Sequence, residues 1–180
     1  MIAILTGVAL GISLNYLYQE FNSSIINRKN QKSSIKALKS RVSIKDHLDA
    51  LREDIGANRV SIIKYDDDMV KSNMIYESVK EGTPEIMPSF QNINSMVCLP
   101  MLLELEQRGF TTVDKNSKDD IKRLHNTINV KTSFKYRINK SISEGCLVVA
   151  FSHDHELTPN EGEQIIKTIK EIKPLLCSNK

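Results

Sequence analysis

An almost uninterrupted apolar run, GCLVVAFS at residues 145–152, is the feature that most constrains the fold of this chain. A short apolar run that is bounded by polar turns is typical of a buried strand. We therefore predict a central strand here, and the fold must supply a neighbouring strand on each side of it.

The other elements are predicted from apolar spacing and from turn residues. Thr158-Pro159-Asn160-Glu161 forms a capping box, and apolar residues at 165, 169, 172 and 176 then predict a helix. Further strands are predicted at 58–65, 73–80, 110–113 and 130–138, and further helices at 34–55, 96–107 and 118–126. Because hairpin-length connections join several strands, we predict an α+β fold, an antiparallel sheet with helices packed on one side and long loops on the other.

The opening segment Ile2–Tyr18 contains no charged residue. As a helix it would be about 25 Å long, against about 30 Å for a bilayer core. A cleaved signal peptide would need a basic start and a small-x-small cleavage site, and the run has neither. We therefore predict a single transmembrane helix over residues 1–19, with a buried core helix as the alternative.

Basic residues dominate the stretch after this predicted anchor, at positions 28, 29, 32, 36, 39, 41 and 45. Residues 20–33 are expected to form a basic polar linker. Positive charge beside a membrane helix favours the cytoplasmic side, so the domain at residues 34–180 is expected to face the cytoplasm from the inner membrane. Within the anchor, the spacing of Gly7 and Gly11 favours close helix pairing and hence a homo-oligomer, although the same spacing also arises by chance.

Charge, aromatic content and residue clusters argue against several classes of function. The net charge is only +3 and there is no Trp, so a nucleic-acid partner is not predicted. Cys98, Cys146 and Cys177 have neither zinc-site nor disulfide spacing, and His153-Asp154-His155 lacks further ligands, so no metal is predicted. No catalytic triad and no glycine-rich phosphate loop is present, so we predict no catalytic residues, no cofactor and no enzyme activity.

Several local strings resemble the GAF domain family. They lie at residues 58–63, 108–114, 132–134, 145–151 and 157–161, and the resemblance covers about residues 34–176. It implies a GAF-like sheet that serves as a non-enzymatic binding or regulatory module for a small ligand or a protein partner. The family's cyclic-nucleotide signature and bilin-attaching cysteine context are absent, so the resemblance names no ligand.

The resemblance also implies where a ligand would bind. In the family, ligands lie on the sheet face under the long connections, which here are Glu81–Ser95 and Asp114–Asn129. The side chains expected near such a ligand are Phe90, Phe110, Asp114, Ser133 and Tyr136. In the alternative interpretation, Phe110 and Tyr136 complete the hydrophobic core.

A second resemblance concerns Val148–Ile172, where a strand, a His-containing turn and a capped helix follow one another. This order is similar to the closing pattern of holins of the T-even phage type. It implies a membrane-lesion protein whose globular domain lies outside the cytoplasm and binds an antiholin. Since the basic linker predicts the opposite orientation, this function is kept as the alternative.

Overall fold

A computed structural model describes residues 32–117 and 119–177, without the side chains of residues 119–121, 124 and 177. The chain divides into two compact units, Met1–Ser40 and Arg41–Lys180. The predicted anchor, its Gly7 and Gly11 pair and the linker up to residue 31 lie outside the described residues. Among the residues that are described, no helix has both the length and the apolar character of a membrane span.

The second unit is built on one antiparallel sheet. A helix covers residues 32–54, and its residues 41–54, which belong to the second unit, are called α1. The strands are β1 Arg59–Tyr65, β2 Lys71–Val79, β3 Ile93–Asn94, β4 Phe110–Val113, β5 Thr132–Arg137 and β6 Cys146–Phe151, in the order β3-β2-β1-β6-β5-β4. The remaining helices are α2 Leu99–Arg108, α3 Asp119–Thr127 and α4 Pro159–Cys177. The predicted α+β antiparallel sheet is therefore confirmed.

Strand β6 occupies the centre of the sheet, as its apolar sequence predicts. It pairs antiparallel with β1 on one side and β5 on the other, and all six of its residues are buried. The side chains of Leu147 and Val149 enter a core on one face of the sheet, and that of Val148 enters a core on the other. Both faces must therefore be covered.

Helices α1 and α4 cover the first face. Ile44, Leu48, Ile165 and Ile172 are fully buried there, packed on Val60, Ile62 and Leu147 of the sheet among others. The capping box forms as predicted: Thr158 N–H donates to Glu161 Oε2 at 2.7 Å, and Glu161 N–H donates to Thr158 Oγ1 at 3.3 Å. Capping of this kind is typically worth about 1 kcal/mol.

The prediction that helices pack on only one side of the sheet is wrong. Helix α2 lies on the second face, where Met101, Leu102 and Leu105 are buried against Cys146 and Val148. A strand that is apolar on both faces needs an apolar cover on each, and the loops alone do not supply it. The long connections cover only the rest of this face, and a cavity lies beneath them.

An irregularity in the β1–β2 pairing decides which side chains of β2 reach the second face. Ile62 pairs with Tyr76 and Ile63 pairs with Met74, so Ile75 has no partner in the register. An extra residue of this kind reverses the alternation of the strand beyond it. Met74 belongs to the core of the second face, Tyr76 packs against that of the first, and Glu77 returns to the second.

Candidate ligand-binding cavity

The floor of the cavity is a grid of side chains from three adjacent strands. In the register, Arg59 lies opposite Ala150 and Ala150 opposite Ser133, while Ser61 lies opposite Val148 and Val148 opposite Lys135. All of these residues line the cavity. Since neighbouring strands are about 4.8 Å apart, the polar residues of β1 and β5 face each other across roughly 10 Å, with only apolar side chains of β6 between them.

The roof comes from the two long connections that the sequence indicated. Ile86 and Phe90 belong to the loop between β2 and β3, and Ile128 and Val130 to the connection between α3 and β5. His125, near the end of α3, completes the wall. The cavity is partly open to solvent and has a volume of about 50 Å³, which is room for a few water molecules or one small organic molecule.

A buried ion pair connects the floor to the roof. Arg59 Nε lies 2.8 Å from Glu77 Oε1, and both side chains are almost completely buried. The other Glu77 oxygen accepts hydrogen bonds from the backbone N–H groups of Ile86, at 3.0 Å, and Met87, at 2.8 Å. Arg59 Nη2 donates to the carbonyl of Pro84 at 2.6 Å. The pair thereby fixes the loop over the cavity.

Several polar atoms that line the cavity have no hydrogen-bond partner among the described residues. They are Arg59 Nη1, His125 Nδ1 and Ser133 Oγ, from side chains that are all more than nine-tenths buried. Leaving a buried polar group unsatisfied costs about 1–3 kcal/mol. Such groups are rare in folded proteins, and three of them around one cavity indicate a place for water or for a ligand.

His125 is held neutral in this environment. Burial, and secondly the charge of Lys135, lower the pKa of the His125 imidazole to about 3. The described cavity also offers no activated thiol, since burial raises the pKa of Cys146 on the same sheet face. His125 is therefore available as a neutral hydrogen-bonding group and is a poor general base at neutral pH.

We expect His125 to make the folded state less stable in acid. Its pKa is lower when folded than when unfolded, so below about pH 6.5 the unfolded state binds the extra proton and stability falls by up to about 1.4 kcal/mol per pH unit towards pH 3. His125→Asn should reduce this slope in urea denaturation between pH 6.5 and 4.5. An NMR titration showing a His125 pKa near 6.5 would contradict the account.

The structure brings together two of the five side chains that were expected near a ligand. Phe90 and Ser133 line the cavity. Tyr136 packs against the core of the opposite face, where Phe110 stacks on it with ring centroids 6.1 Å apart. Asp114 follows β4 and accepts a hydrogen bond from Asn116 N–H in a turn. The alternative interpretation, that both side chains complete the hydrophobic core, fits Tyr136 but not Phe110, which is 41% exposed.

The charged residues of the cavity were missed from the sequence. Arg59 and Lys135 alternate with apolar neighbours in strands, a pattern that usually places polar side chains in solvent. The strand assignments nevertheless contained a signal, because alternate residues of a strand lie on the same face. Arg59 and Ser61 share one face of β1, Ser133 and Lys135 share one face of β5, and both strands flank the buried β6. Polar residues on a covered face of a central sheet are candidates for a binding site.

A second cleft, of about 170 Å³, lies between α1 and α4. His47 Nδ1 lies 3.3 Å from Glu171 Oε2 across it, and the side chains of Asp54 and Lys167 at its edge are exposed. Solvated charges of this kind are normal between surface helices, and among the described residues one buried atom of the cleft lining, Gln164 Oε1, lacks a hydrogen-bond partner. The smaller cavity on the second face, which has three such atoms, is the better candidate.

The His153-Asp154-His155 turn is occupied by contacts within the fold. The His155 ring stacks on Phe151 with centroids 3.8 Å apart, and its Nε2 lies 3.1 Å from Glu161 Oε1. His153 meets the edge of the Phe151 ring. Within the described residues, no group of three or more His, Cys, Asp or Glu side chains is arranged to hold a metal ion.

Comparison with known proteins connects this geometry to a fold. No protein-family model and no curated protein matches the sequence. Among solved structures, the chain is similar to the phycocyanobilin-bound GAF domain of a cyanobacterial phytochrome, with a TM-score of 0.66, 18% identity, and coverage of 84% of this chain and 92% of that one.

Two further solved structures agree with the first. The blue-light-absorbing form of the PixJ GAF domain from Thermosynechococcus elongatus has a TM-score of 0.62 at 16% identity, over 78% of this chain and 86% of that one. The photoproduct state of a GAF domain from Synechocystis sp. PCC6803 has a TM-score of 0.62 at 11% identity, over 74% and 90%. At this level of identity the likeness concerns architecture, and the chain has a GAF-like fold.

Proposed function

We propose that this chain is a sensory binding module that takes a small ligand in the cavity on the second face of its GAF-like sheet. The observation that carries the proposal is the convergence on one cavity of Arg59 Nη1, His125 Nδ1 and Ser133 Oγ, which are all buried and have no partner among the described residues. A ligand that forms hydrogen bonds with these three atoms removes the free-energy cost of leaving them unsatisfied.

The solved neighbours support a binding role without naming this chain's ligand. One of them is described as phycocyanobilin-bound. A cavity of about 50 Å³ is far smaller than the roughly 300–1,000 Å³ of pockets that hold drug-sized ligands, so a linear tetrapyrrole does not fit without rearrangement. The occupant that we propose is correspondingly small, and its role is recognition and not turnover.

Filling the cavity tests this function. Ala150 lies in the floor between Arg59 and Ser133, so Ala150→Leu places a larger side chain where the ligand would lie. We expect small polar compounds that raise the melting temperature of the full wild-type chain to lose that effect in Ala150→Leu. Overpacking itself costs about 1–3 kcal/mol, so the folded state of the variant is checked by circular dichroism.

The matched control is Ala50→Leu, an exposed position on α1 beside the second cleft. It should respond to the same compounds as the wild type. Compounds that stabilise Ala150→Leu as strongly as the wild type would show that binding occurs elsewhere, and the proposal would be wrong.

From sequence alone we further propose that residues 1–19 anchor this module to a membrane as a dimer, with the domain in the cytoplasm. Fusion of reporters after Lys180 tests the orientation: cytoplasmic fluorescence is expected. Periplasmic phosphatase activity would contradict it and would favour the holin-like alternative.

A further inference from the structure

The charge of the cavity points to the class of ligand, an inference that rests on the proposed function. Two cationic side chains line the space, Arg59 and Lys135. Glu77 neutralises the first through the 2.8 Å ion pair. The Lys135 side chain is only 8% exposed, its ammonium keeps some contact with solvent, and no described residue forms an ion pair or hydrogen bond with it.

The register explains why Glu77 does not neutralise both cations. Glu77, Ser61, Val148 and Lys135 lie in one row across four strands, so Glu77 and Lys135 are three strand spacings, roughly 14 Å, apart. His125, on the roof beside Lys135, is neutral and contributes no negative charge. The described lining therefore carries one uncompensated positive charge.

A partly desolvated charge without a protein partner is stabilised by an anion that reaches it. Arg59 Nη1 and Ser133 Oγ face the same space with free hydrogen-bonding capacity. Opposite these groups, the lining is apolar: Ile86, Phe90, Ile128 and Val130 come from the roof, and Met74 from β2. The cavity thus has a cationic, hydrogen-bonding floor and a hydrocarbon roof.

We propose that the ligand is a small organic monocarboxylate. Its carboxylate lies on the floor between Lys135 and Arg59 Nη1, with Ser133 as a further donor, and its short apolar part lies beneath Ile86 and Phe90. A single negative charge matches the single uncompensated positive charge, and a carboxylate oxygen accepts hydrogen bonds from both cations.

Other chemistries match this lining less well. A phosphate dianion would leave one negative charge unmatched in an apolar enclosure, and the apolar roof would have nothing to contact. A neutral polar molecule would cover the Lys135 ammonium without neutralising its charge. An inorganic monoanion such as nitrate would neutralise the charge of the floor and accept its hydrogen bonds, but it has no apolar part to contact the roof.

Isothermal titration calorimetry on the full chain distinguishes these possibilities with acetate, butyrate, butyramide and inorganic phosphate as probes. We expect butyrate to bind more tightly than acetate, because its longer chain contacts the roof. We expect butyramide to bind at least about tenfold more weakly than butyrate, because a hydrogen bond to a charged partner is worth about 1.5–3 kcal/mol. Phosphate, titrated at pH 8 where the dianion predominates, should also bind more weakly than butyrate, because its second charge has no partner and it has no apolar part to contact the roof.

Lys135→Met keeps the length of the side chain and removes its charge. We expect it to weaken butyrate binding at least about tenfold, whereas Lys135→Arg, which keeps the charge, should retain most of the affinity. Lys131→Met, at an exposed position just before β5, is the matched control and should bind as the wild type does. Because no described residue pairs with the Lys135 ammonium, its removal breaks no ion pair, and ligand-free Lys135→Met should melt close to the wild-type temperature.

Each outcome has a defined meaning. If butyramide binds as tightly as butyrate and Ala150→Leu abolishes both, the carboxylate inference is wrong while the binding function stands. Full butyrate affinity in Lys135→Met would also overturn the inference. If none of the probes binds, and if native mass spectrometry finds no small molecule on the purified chain and thermal-shift screening finds no stabilising compound, both the inference and the binding function fail.

Discussion

Phe151→Ala is expected to lower the free energy of unfolding by about 3–5 kcal/mol, as large-to-small substitutions of buried aromatic residues do. Phe151 ends β6, is 1% exposed, and touches the rings of Phe134 and His155 at centroid distances of 6.1 and 3.8 Å. Its removal leaves a cavity where the central strand meets the helices of the first face. The midpoint of urea denaturation at constant m-value measures the loss.

Phe110→Ala is the matched control for that substitution. Phe110 is 41% exposed on the edge strand β4 and stacks on Tyr136. Loss of an exposed aromatic pair is expected to lower stability by about 1 kcal/mol. If both variants lost the same stability, Phe151 would not lie in the main core, and the position of β6 would be wrong.

Glu77→Ala is expected to be comparably damaging, at about 3–5 kcal/mol, because it breaks a buried pair by removing one partner. The variant leaves Arg59 charged and unpaired at a site where it is only 3% exposed. It also removes the acceptor for the N–H groups of Ile86 and Met87, so the roof of the cavity loses its attachment to the sheet. Urea denaturation and amide hydrogen exchange of residues 84–90 measure the two effects.

Glu85→Ala, at an exposed position in the same loop, is the control for the loss of attachment between the loop and the sheet. Its stability and loop exchange should be close to those of the wild type, since surface substitutions usually change stability by less than about 0.5 kcal/mol. A Glu77→Ala protein with wild-type stability and unchanged exchange over residues 84–90 would show that the ion pair does not hold the roof.

The parts of the fold that sequence alone predicts are those in which local signals agree with one another. The apolar run of β6 predicts a strand at the centre of the sheet. The capping box at Thr158 fixes the start of α4 before any tertiary contact is known. Gly109, with φ of 78°, ends α2 in the left-handed conformation that glycine adopts most readily.

Other features depend on pairing between distant segments and were not predicted. Simple alternation along β2 would place Met74 and Tyr76 on one face, and Glu77 on the other. The unpaired Ile75 reverses that order, so that Met74 lies on the second face together with Glu77, which contacts Arg59 there. The position of α2 on the second face could have been predicted from the sequence, since β6 is apolar on both sides and each side needs an apolar element packed on it.

The candidate site likewise combines features that the local sequence predicts with features that it does not. Phe90 and Ser133 were expected near a ligand and do line the cavity, because loop position and strand parity suffice to place them. Phe110 and Tyr136 pair in register on the other face. The features that suggest a ligand, the buried unsatisfied groups and the uncompensated Lys135, follow from packing that no local pattern specifies.

The most direct test of the proposed site is a crystal structure of the full chain, purified in detergent and grown with a saturating small carboxylate. We expect a carboxylate between Lys135 and Arg59 Nη1, with its apolar part beneath Phe90. A cavity at the same position that holds only water, with the carboxylate bound elsewhere or not at all, would contradict it.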